Sequence, residues 1–396
     1  MTFILDRSEP IRYETDFTEP NMFRDETDFQ RLMLEITKRN ASETILQPYE
    51  PVLIEIDGIL RPLTHRRLTP DEVEMMVNWA AGNDKAKAEL IQRREVKASY
   101  VVKDPVERDA RGEKVSTRYR VAAGRGELRG SMAFQILLRR INSVPAYLKD
   151  ADLPDYVIDA MTMGHGVTWV SGRTGSGKTT FFSSIIRYIL ENATAIKGNI
   201  ILLEEPIEQV YDTIDSSHSV VFQIEVGRDV DSWEQGIEQL MRRLPAMILV
   251  GETRSRITAE AVLQAANTGH PVGSTLHAND VAGIIPRLMT FFADDLKEQM
   301  LFDALDTARV MFNQVRVPKV GGGMTVLREY LVVTDSLRRE LQARSDPTKI
   351  AMHMREALEA HGKPMWQTAQ EAFDAGIIDR QTLRIHGKRS GDHVRH

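Results

Sequence analysis

The chain of 396 residues contains no cysteine. That excludes disulfides, thiolate catalysis, iron–sulfur clusters and every cysteine-based zinc site, and it makes a reducing cytosol the natural compartment. Aromatic residues are scarce at 7%, and no stretch approaches the roughly 18 consecutive apolar residues of a membrane helix. The first residues meet Asp6, Arg7 and Glu9 before an apolar run of signal-peptide length accumulates. Membrane association is therefore expected only through a partner, with no integral membrane segment. Charge of one sign is not in excess either. The balance of 51 Lys+Arg against 57 Asp+Glu gives −6, so no global positive field draws nucleic acid, and no direct sequence-specific nucleic-acid binding is expected. What remains is ordinary for a globular chain, 42% hydrophobic and 27% charged, and the length calls for two or three domains.

Along the chain the pattern changes three times. Residues 1–28 are polar, with Pro10 and Pro20 and no periodicity, and read as a flexible arm. Residues 29–148 read as an α+β domain. Phe29, Leu32, Met33 and Ile36 have helical spacing, and Pro51 to Leu60 reads as strand, Asp57-Gly58 turn, strand. Thr69-Pro70-Asp71-Glu72 then opens a helix, and strand-like alternation follows over Val96–Val102 and Ser116–Ala122. In residues 149–341, Gly166–Ser171, Asn199–Leu203 and Met247–Val250 are short and almost wholly apolar, with candidate helices over Thr179–Leu190 and Asp231–Arg243. Strands apolar on both faces that alternate with helices predict a parallel sheet covered on both sides. Residues 342–396 turn helical and polar and finish in a basic tail, Arg384 to His396, expected to be solvated.

The sequence Gly172-Arg173-Thr174-Gly175-Ser176-Gly177-Lys178-Thr179, with Thr180 beside it, satisfies the phosphate-loop pattern. Chance would produce such a match in roughly one chain in a hundred of this length. Its context is the one the mechanism requires, after an apolar strand and before an amphipathic helix carrying Phe181, Phe182, Ile185, Ile186 and Ile189. The glycines let backbone N–H groups wrap phosphate oxygens, Lys178 neutralises the β and γ phosphates, and the Thr179 hydroxyl suits Mg²⁺. The chain is expected to bind ATP or GTP.

Hydrolysis also needs carboxylates, one to order Mg²⁺ and one to activate water. Leu203-Glu204-Glu205-Pro206-Ile207-Glu208 and Val250-Gly251-Glu252 each place acids directly after a buried strand, where open α/β sheets bind ligands. A solvated loop carboxylate is the plainer reading for Glu208. His270 and His277 have neither the spacing of a zinc helix pair nor that of a finger; hydrogen bonding to phosphate, a bridge between subunits and simple core packing all remain open for them.

Taken in order, the phosphate loop, Leu203–Glu208, Gln223-Ile224-Glu225-Val226-Gly227, Ile248–Arg254 and Thr268-Gly269-His270 through Thr275-Leu276-His277 closely resemble the Walker A, Asp box, Walker B and His box of the secretion ATPase superfamily, over roughly Phe29 to Leu341. That superfamily contains pilus retraction motors and the motors of type II and type IV secretion. The resemblance implies an α/β fold: a RecA-like P-loop motor domain with a PAS-like N-terminal α+β domain and a helical C-terminal extension, assembled as a homohexamer that binds ATP and Mg²⁺ between the two domains. It also implies roles. Glu204 matches the catalytic base, Glu252 the Walker B acid, His270 and His277 the His-box pair, and Arg242 the arginine before Walker B. Thr179, Glu205 and Glu252 become the candidate Mg²⁺ ligands. Arg139 is the candidate arginine donated to a neighbouring subunit, ahead of Arg118, Arg120 and Arg129.

The chain departs from the family in three places. Glu205 stands where an Asp is usual, Leu244-Pro245-Ala246 where Asp-Pro-Asp is usual, and Ser336–Leu341 where retraction motors carry their signature. The four-cysteine zinc module of assembly motors cannot be present. The N-terminal hairpin and the C-terminal extension most resemble the type IVB branch. The expectation is an ATPase that powers type IVB secretion or conjugative transfer from the cytoplasmic face of an inner-membrane complex. A pilus retraction motor, a RecA-like nucleic-acid translocase and a nucleotide-gated scaffold without turnover are the alternatives.

Overall fold

The computed structural model describes residues 4–6, 17–56, 59–108, 112–141 and 144–387. It divides into two compact units. The first comprises Met1–Val144 with Glu205–Val210 and Glu225–Asp229, and the second comprises Pro145–Glu204, Tyr211–Ile224 and Val230–His396.

Unit 1 is built on a seven-stranded sheet. Its elements are β1 (Ile4–Leu5), α1 (Glu26–Lys38), β2 (Glu43–Leu46), β3 (Leu53–Ile56), β4 (Ile59–Pro62), α2 (Pro70–Ala81), α3 (Ala86–Ile91), β5 (Val96–Arg108), β6 (Lys114–Leu128) and β7 (Ser131–Ile141), and the strand order is β1-β4-β3-β2-β7-β6-β5. The expected hairpin is β3 against β4, antiparallel with Ile56 opposite Ile59; its turn residues Asp57 and Gly58 lie outside the described residues. Helix α1 starts where the Asp25 side chain accepts the N–H of Asp28, and it buries Phe29, Leu32, Met33 and Ile36. Helix α2 opens on a reciprocal capping box between Thr69 and Glu72, with Pro70 first in the helix. Strands β5 and β6 run well beyond the alternating stretches that announce them.

The arm expected over residues 1–28 differs over 17–25. Phe17 and Phe23 are buried in the unit 1 core, the Phe23 N–H donates to Glu72 at 2.7 Å, and Glu19 accepts the N–H groups of His65 and Arg66. Two isolated aromatic residues leave no periodic signal, yet each fills a slot in the core. Residues 1–3 and 7–16 of that stretch, and 388–396 of the basic tail, lie outside the described residues.

Unit 2 carries α4 (Asp155–Met161), β8 (Gly166–Ser171), α5 (Lys178–Glu191), β9 (Gly198–Glu204), β10 (Ser219–Glu225), α6 (Trp233–Met241), β11 (Pro245–Val250), α7 (Arg256–Asn267), β12 (Pro271–Leu276), α8 (Ile284–Met289), α9 (Lys297–Thr307), β13 (Ala308–Pro318) and β14 (Met324–Val332). The strand order is β10-β9-β11-β12-β8-β13-β14. Strands β9, β11, β12, β8 and β13 run parallel to one another in that order, and β14 closes the edge antiparallel to β13. Every residue of β8 and of β12 is buried, as expected for strands covered on both faces. Helix α6 crosses β9 so closely that a Cβ on Gly236 would come within 2.5 Å of Leu203.

Among the described residues four helices follow: α10 (Asp335–Ala343), α11 (Ile350–His361), α12 (Met365–Asp374) and α13 (Arg380–His386). Ala369, Ala372, Ile378 and Leu383 from this region pack on Val315 and Val317 of β13 and Leu327 of β14. Glu329 of β14, buried, accepts the N–H groups of Val281 and Met365; burial pushes its carboxyl up to about 7. Among the described residues no helix is long and apolar enough to cross a membrane.

The Glu72 carboxylate ties the N-terminal segment to α2, and its pKa fixes the sign of a test. Burial alone would raise that pKa, but hydrogen bonds from Arg66, Thr69 and Phe23 outweigh it and hold the group below the usual 4.5. Its contribution is therefore present above pH 4.5 and is lost as pH falls through the lower folded value. Glu72→Ala should cost roughly 1–3 kcal/mol at pH 7 and expose residues 17–25 to protease. Urea titrations over a pH series should show the gap to wild type closing in acid; a gap that persists unchanged there refutes this account.

Candidate nucleotide site

Parallel pairing fixes where the chemistry collects. Gly172 follows β8, Glu204 ends β9, Glu252 follows β11, His277 follows β12, and Gln314 lies in β13, so all stand at the carboxyl edge of neighbouring strands. The register makes the adjacency explicit. Val250 pairs with Leu203 and with Ser274, Leu276 with Ser171, and Ser171 with Asn313.

The loop from Gly172 to Gly177 joins β8 to α5. Gly177 caps the helix in the left-handed region at φ 89° and no side chain caps the first turn, which leaves N–H groups and the positive end of the helix dipole for an anion. Gly172 sits at φ 142°, and a Cβ there would meet the Gln314 carbonyl oxygen at 2.4 Å and Ser176 Oγ at 2.6 Å. The cradle is thus filled by its own backbone, and only glycine fits. Lys178 Nζ donates to the carbonyls of Gly172 and Arg173 at 2.9 and 3.3 Å, over the loop. Thr179 and Thr180 stand in the first turn of α5.

Glu204 is 5% exposed, and its Oε2 accepts from Gln223 Nε2 of β10 at 2.8 Å. Tyr211, buried between Ser183 of α5 and Glu204, has its phenol pushed up by that burial and by the Glu204 charge. Glu252 is held from below by a ladder of hydroxyls. Thr275 Oγ1 donates to the Gly251 carbonyl, Ser274 Oγ donates to the Val250 carbonyl and meets the Thr253 hydroxyl, and the Thr253 N–H reaches the Thr275 carbonyl. There Glu252 Oε1 meets His277 Nε2 at 3.2 Å. Both side chains are partly exposed, so the pair adds little stability.

Other expected residues are not brought to this edge within unit 2. His270 precedes β12, where its carbonyl accepts the Gly166 N–H at the start of β8. With the six residues of β12 between the two histidines, at about 3.3 Å each, they stand on the order of 20 Å apart, at opposite edges of the sheet. The pairing of His270 with His277 is therefore not seen within one chain. Arg242 ends α6 before β11, 82% exposed and 4.0 Å from Glu238, also on the edge away from Glu204 and Glu252.

Two segments of the motor sequence belong to unit 1. There Glu225 is buried, its carboxylate accepting the Ser99 N–H at 3.0 Å, the Ser99 hydroxyl at 2.7 Å and the Ile207 N–H at 3.2 Å, with Arg228 at 3.2 Å. This joint ties residues 205–210 and 225–229 to β5. Glu205 lines a concavity of 260 Å³ with Glu95, Lys97 and Gly227. The four candidate arginines are engaged within the same unit: Arg118 on Ser99, Arg120 on Glu208, Arg129 over the Tyr49 ring and Arg139 on Glu43.

Sequence reasoning missed Gln223, Tyr211, Glu225 and Gln314 as parts of this machinery. Gln223 and Glu225 were within a recognised block, and Asn313-Gln314 is a polar pair inside an apolar strand, which was a usable signal. Tyr211 gave none.

Comparison with known proteins places this geometry. The family described as type II/IV secretion system protein matches residues 148–376, more than half of the chain. The chain belongs to that family, and its fold is the RecA-like motor with an N-terminal α+β domain. The X-ray structure of the Legionella pneumophila ATPase DotB is similar with a TM-score of 0.85 and 32% identity, covering 97% of this chain and 98% of that one. A crystal structure of the pilus retraction motor PilT with bound ADP follows at a TM-score of 0.72 and 28% identity, over 92% and 97%. The type IV pilus retraction ATPase PilT of Pseudomonas aeruginosa is 27% identical over 91% of this chain and 98% of its own.

The Gly172 cradle gives a direct test. Gly172→Ala should reduce ATP affinity tenfold or more, since strain of about 1–3 kcal/mol falls on the loop, while unit 1 keeps its unfolding transition. Equilibrium binding of a fluorescent ATP analogue checks this; undiminished affinity would show that the loop does not take the phosphates.

Proposed function

We propose that the chain is a Mg²⁺-dependent ATPase that works as a homohexamer on the cytoplasmic face of an inner-membrane complex and powers type IVB secretion or conjugative transfer. One observation carries the choice of branch. The likeness to DotB spans 97% of the chain at a TM-score of 0.85, against 92% at 0.72 for the retraction motor. Ser336–Leu341 in place of the retraction signature agrees with it. Retraction of a type IV pilus is the second reading, supported by relatives such as PilT that match over nearly their whole length.

In this reading the loop N–H groups and Lys178 hold the triphosphate, and Arg173, Thr174, Gly175, Ser176 and Thr180 shape the cradle. Glu204, fixed by Gln223, accepts the proton of the attacking water. Within unit 2 the Thr179 hydroxyl and the Glu252 carboxylate are donors that suit a hard cation. Mg²⁺ at such a site keeps few protein ligands and is carried largely by substrate phosphates and water. When bound, Mg²⁺ offsets charge on those phosphates. His270 and Arg242, which stand at the sheet edge away from Glu204 in their own unit, and Arg139 of unit 1 are assigned to contacts between subunits of the ring.

Glu204→Gln should keep ATP affinity and lose hydrolysis by roughly two orders of magnitude or more, accumulating as ATP-loaded hexamer, whereas Glu252→Gln should lose turnover in a way that depends on Mg²⁺ concentration. Phosphate release and nucleotide binding across a Mg²⁺ titration, with Lys178→Gln as the control that loses turnover and binds ATP weakly, decide the assignment. If Glu204→Gln turns over normally and Glu252→Gln is dead at every Mg²⁺ level, the roles are exchanged. For the machine itself, deleting the gene should abolish transfer or secretion and spare pilus retraction; the opposite outcome selects the second reading.

A further inference from the structure

A phosphate loop turns its N–H groups inward toward the anion, so its carbonyl oxygens face the protein and need donors of their own. One of them is served from a distant strand. Gln314 of β13 is 1% exposed, and its Nε2 donates to the Ser176 carbonyl at 2.9 Å. The same Nε2 would stand 3.4 Å from a Cβ on Gly177, and the Gln314 carbonyl oxygen 2.4 Å from a Cβ on Gly172. A single residue thus touches the loop at its first glycine, at the Ser176 peptide and at the glycine that caps α5. Its neighbour Asn313 donates to Ser171 Oγ at 2.9 Å and to the Ala278 carbonyl at 3.1 Å, fixing the end of β8. Gln314 Oε1 and Ser176 Oγ are both buried without a hydrogen-bond partner among the described residues. Such groups are costly inside a protein. What the amide contributes here is its donor, which serves the Ser176 carbonyl.

We propose that Gln314 is the positioning residue of the phosphate loop, holding the Ser176 carbonyl turned away from the phosphate space and so setting the affinity for nucleotide. This rests on the reading of the loop as an ATP site and deepens it. Gln314 touches no reacting atom. Without its donor, the Ser176 peptide satisfies its carbonyl by rotating toward the loop interior, where the oxygen faces the phosphates with the wrong sign. The cost falls on binding in ground state and transition state alike, so KM rises and kcat is kept.

The test uses the full chain with Gln314→Met, which keeps the volume and removes the amide, and Gln314→Glu, which puts an acceptor in place of the donor. Equilibrium titration with a fluorescent ATP analogue should show affinity down about tenfold for Gln314→Met, the loss expected of one buried carbonyl left unpaired, and further down for Gln314→Glu. At saturating ATP, kcat should stay within about threefold of wild type, since the interaction is the same in both states. Val317→Ala, in the same strand but in the cluster under the C-terminal helices, serves as control: it should lower the melting temperature and leave affinity unchanged. Equal affinity of wild type and both Gln314 variants overturns the proposal, as does an equal loss in Val317→Ala, which would mean that any weakening of β13 suffices. If wild type itself binds no ATP, the nucleotide reading fails instead.

Discussion

Parallel pairing of five buried strands is the constraint on which the nucleotide site depends. A parallel sheet must be covered on both faces, so its strands are apolar throughout and carry no chemistry along their length. Their carboxyl ends all meet at one edge, and every polar group that serves a ligand has to stand there or in the loops that leave it. Gly172, Glu204, Glu252 and His277 come together for this reason, although 105 positions separate the first from the last. The same rule separates His270 from His277. A short apolar strand lies between them, and a strand carries its two ends to opposite edges.

Position at an edge is not yet geometry, and buried polar side chains supply the rest. Gln223 orients Glu204 across two strands, the hydroxyls of Thr253, Ser274 and Thr275 lock the crossing from which Glu252 emerges, and Asn313 and Gln314 brace the two ends of the phosphate-loop turn. Each bond is modest by itself, about 1 kcal/mol net. Leaving any one unmade inside the protein costs more than making it contributes, so these groups act as pins that admit one arrangement. Unit 1 follows the same logic at Glu225, where one buried carboxylate accepts from two residues far apart in sequence.

The elements announced by periodicity or by capping chemistry were legible in the sequence: α1 from its buried face, α2 from Thr69 and Glu72, α5 from the phosphate loop and its apolar stripe, and the three apolar strands from their composition. The phosphate loop and the two acids were legible because their spacing to those strands is local. Illegible were contacts that close over long separations. Phe23 reaches a helix that begins nearly fifty residues later, and Gln314 reaches a loop about 140 residues earlier. Neither leaves a local pattern. The domain division shows the same limit, since residues 205–210 and 225–229 sit inside the motor sequence and yet cluster with unit 1.

The C-terminal extension gains a role from its attachment point. It does not float on unit 2. Ala369, Ala372, Ile378 and Leu383 pack on Val315 and Val317 of β13 and Leu327 of β14, the Ile377 carbonyl accepts the Val320 N–H just past β13, and Glu329 ties the first turn of α12 to the turn after His277. The far end comes near Arg173 of the phosphate loop. His386 at the end of α13 is half-buried, and that burial together with the nearby Arg173 guanidinium holds its imidazole below the ordinary value. Strand β13 is thus gripped on one side by the extension and grips the phosphate loop on the other. The two attachments use different residues of one strand, Val315 and Val317 under the helices and Gln314 at the Ser176 carbonyl, so β13 positions both while each contact is set by its own side chain.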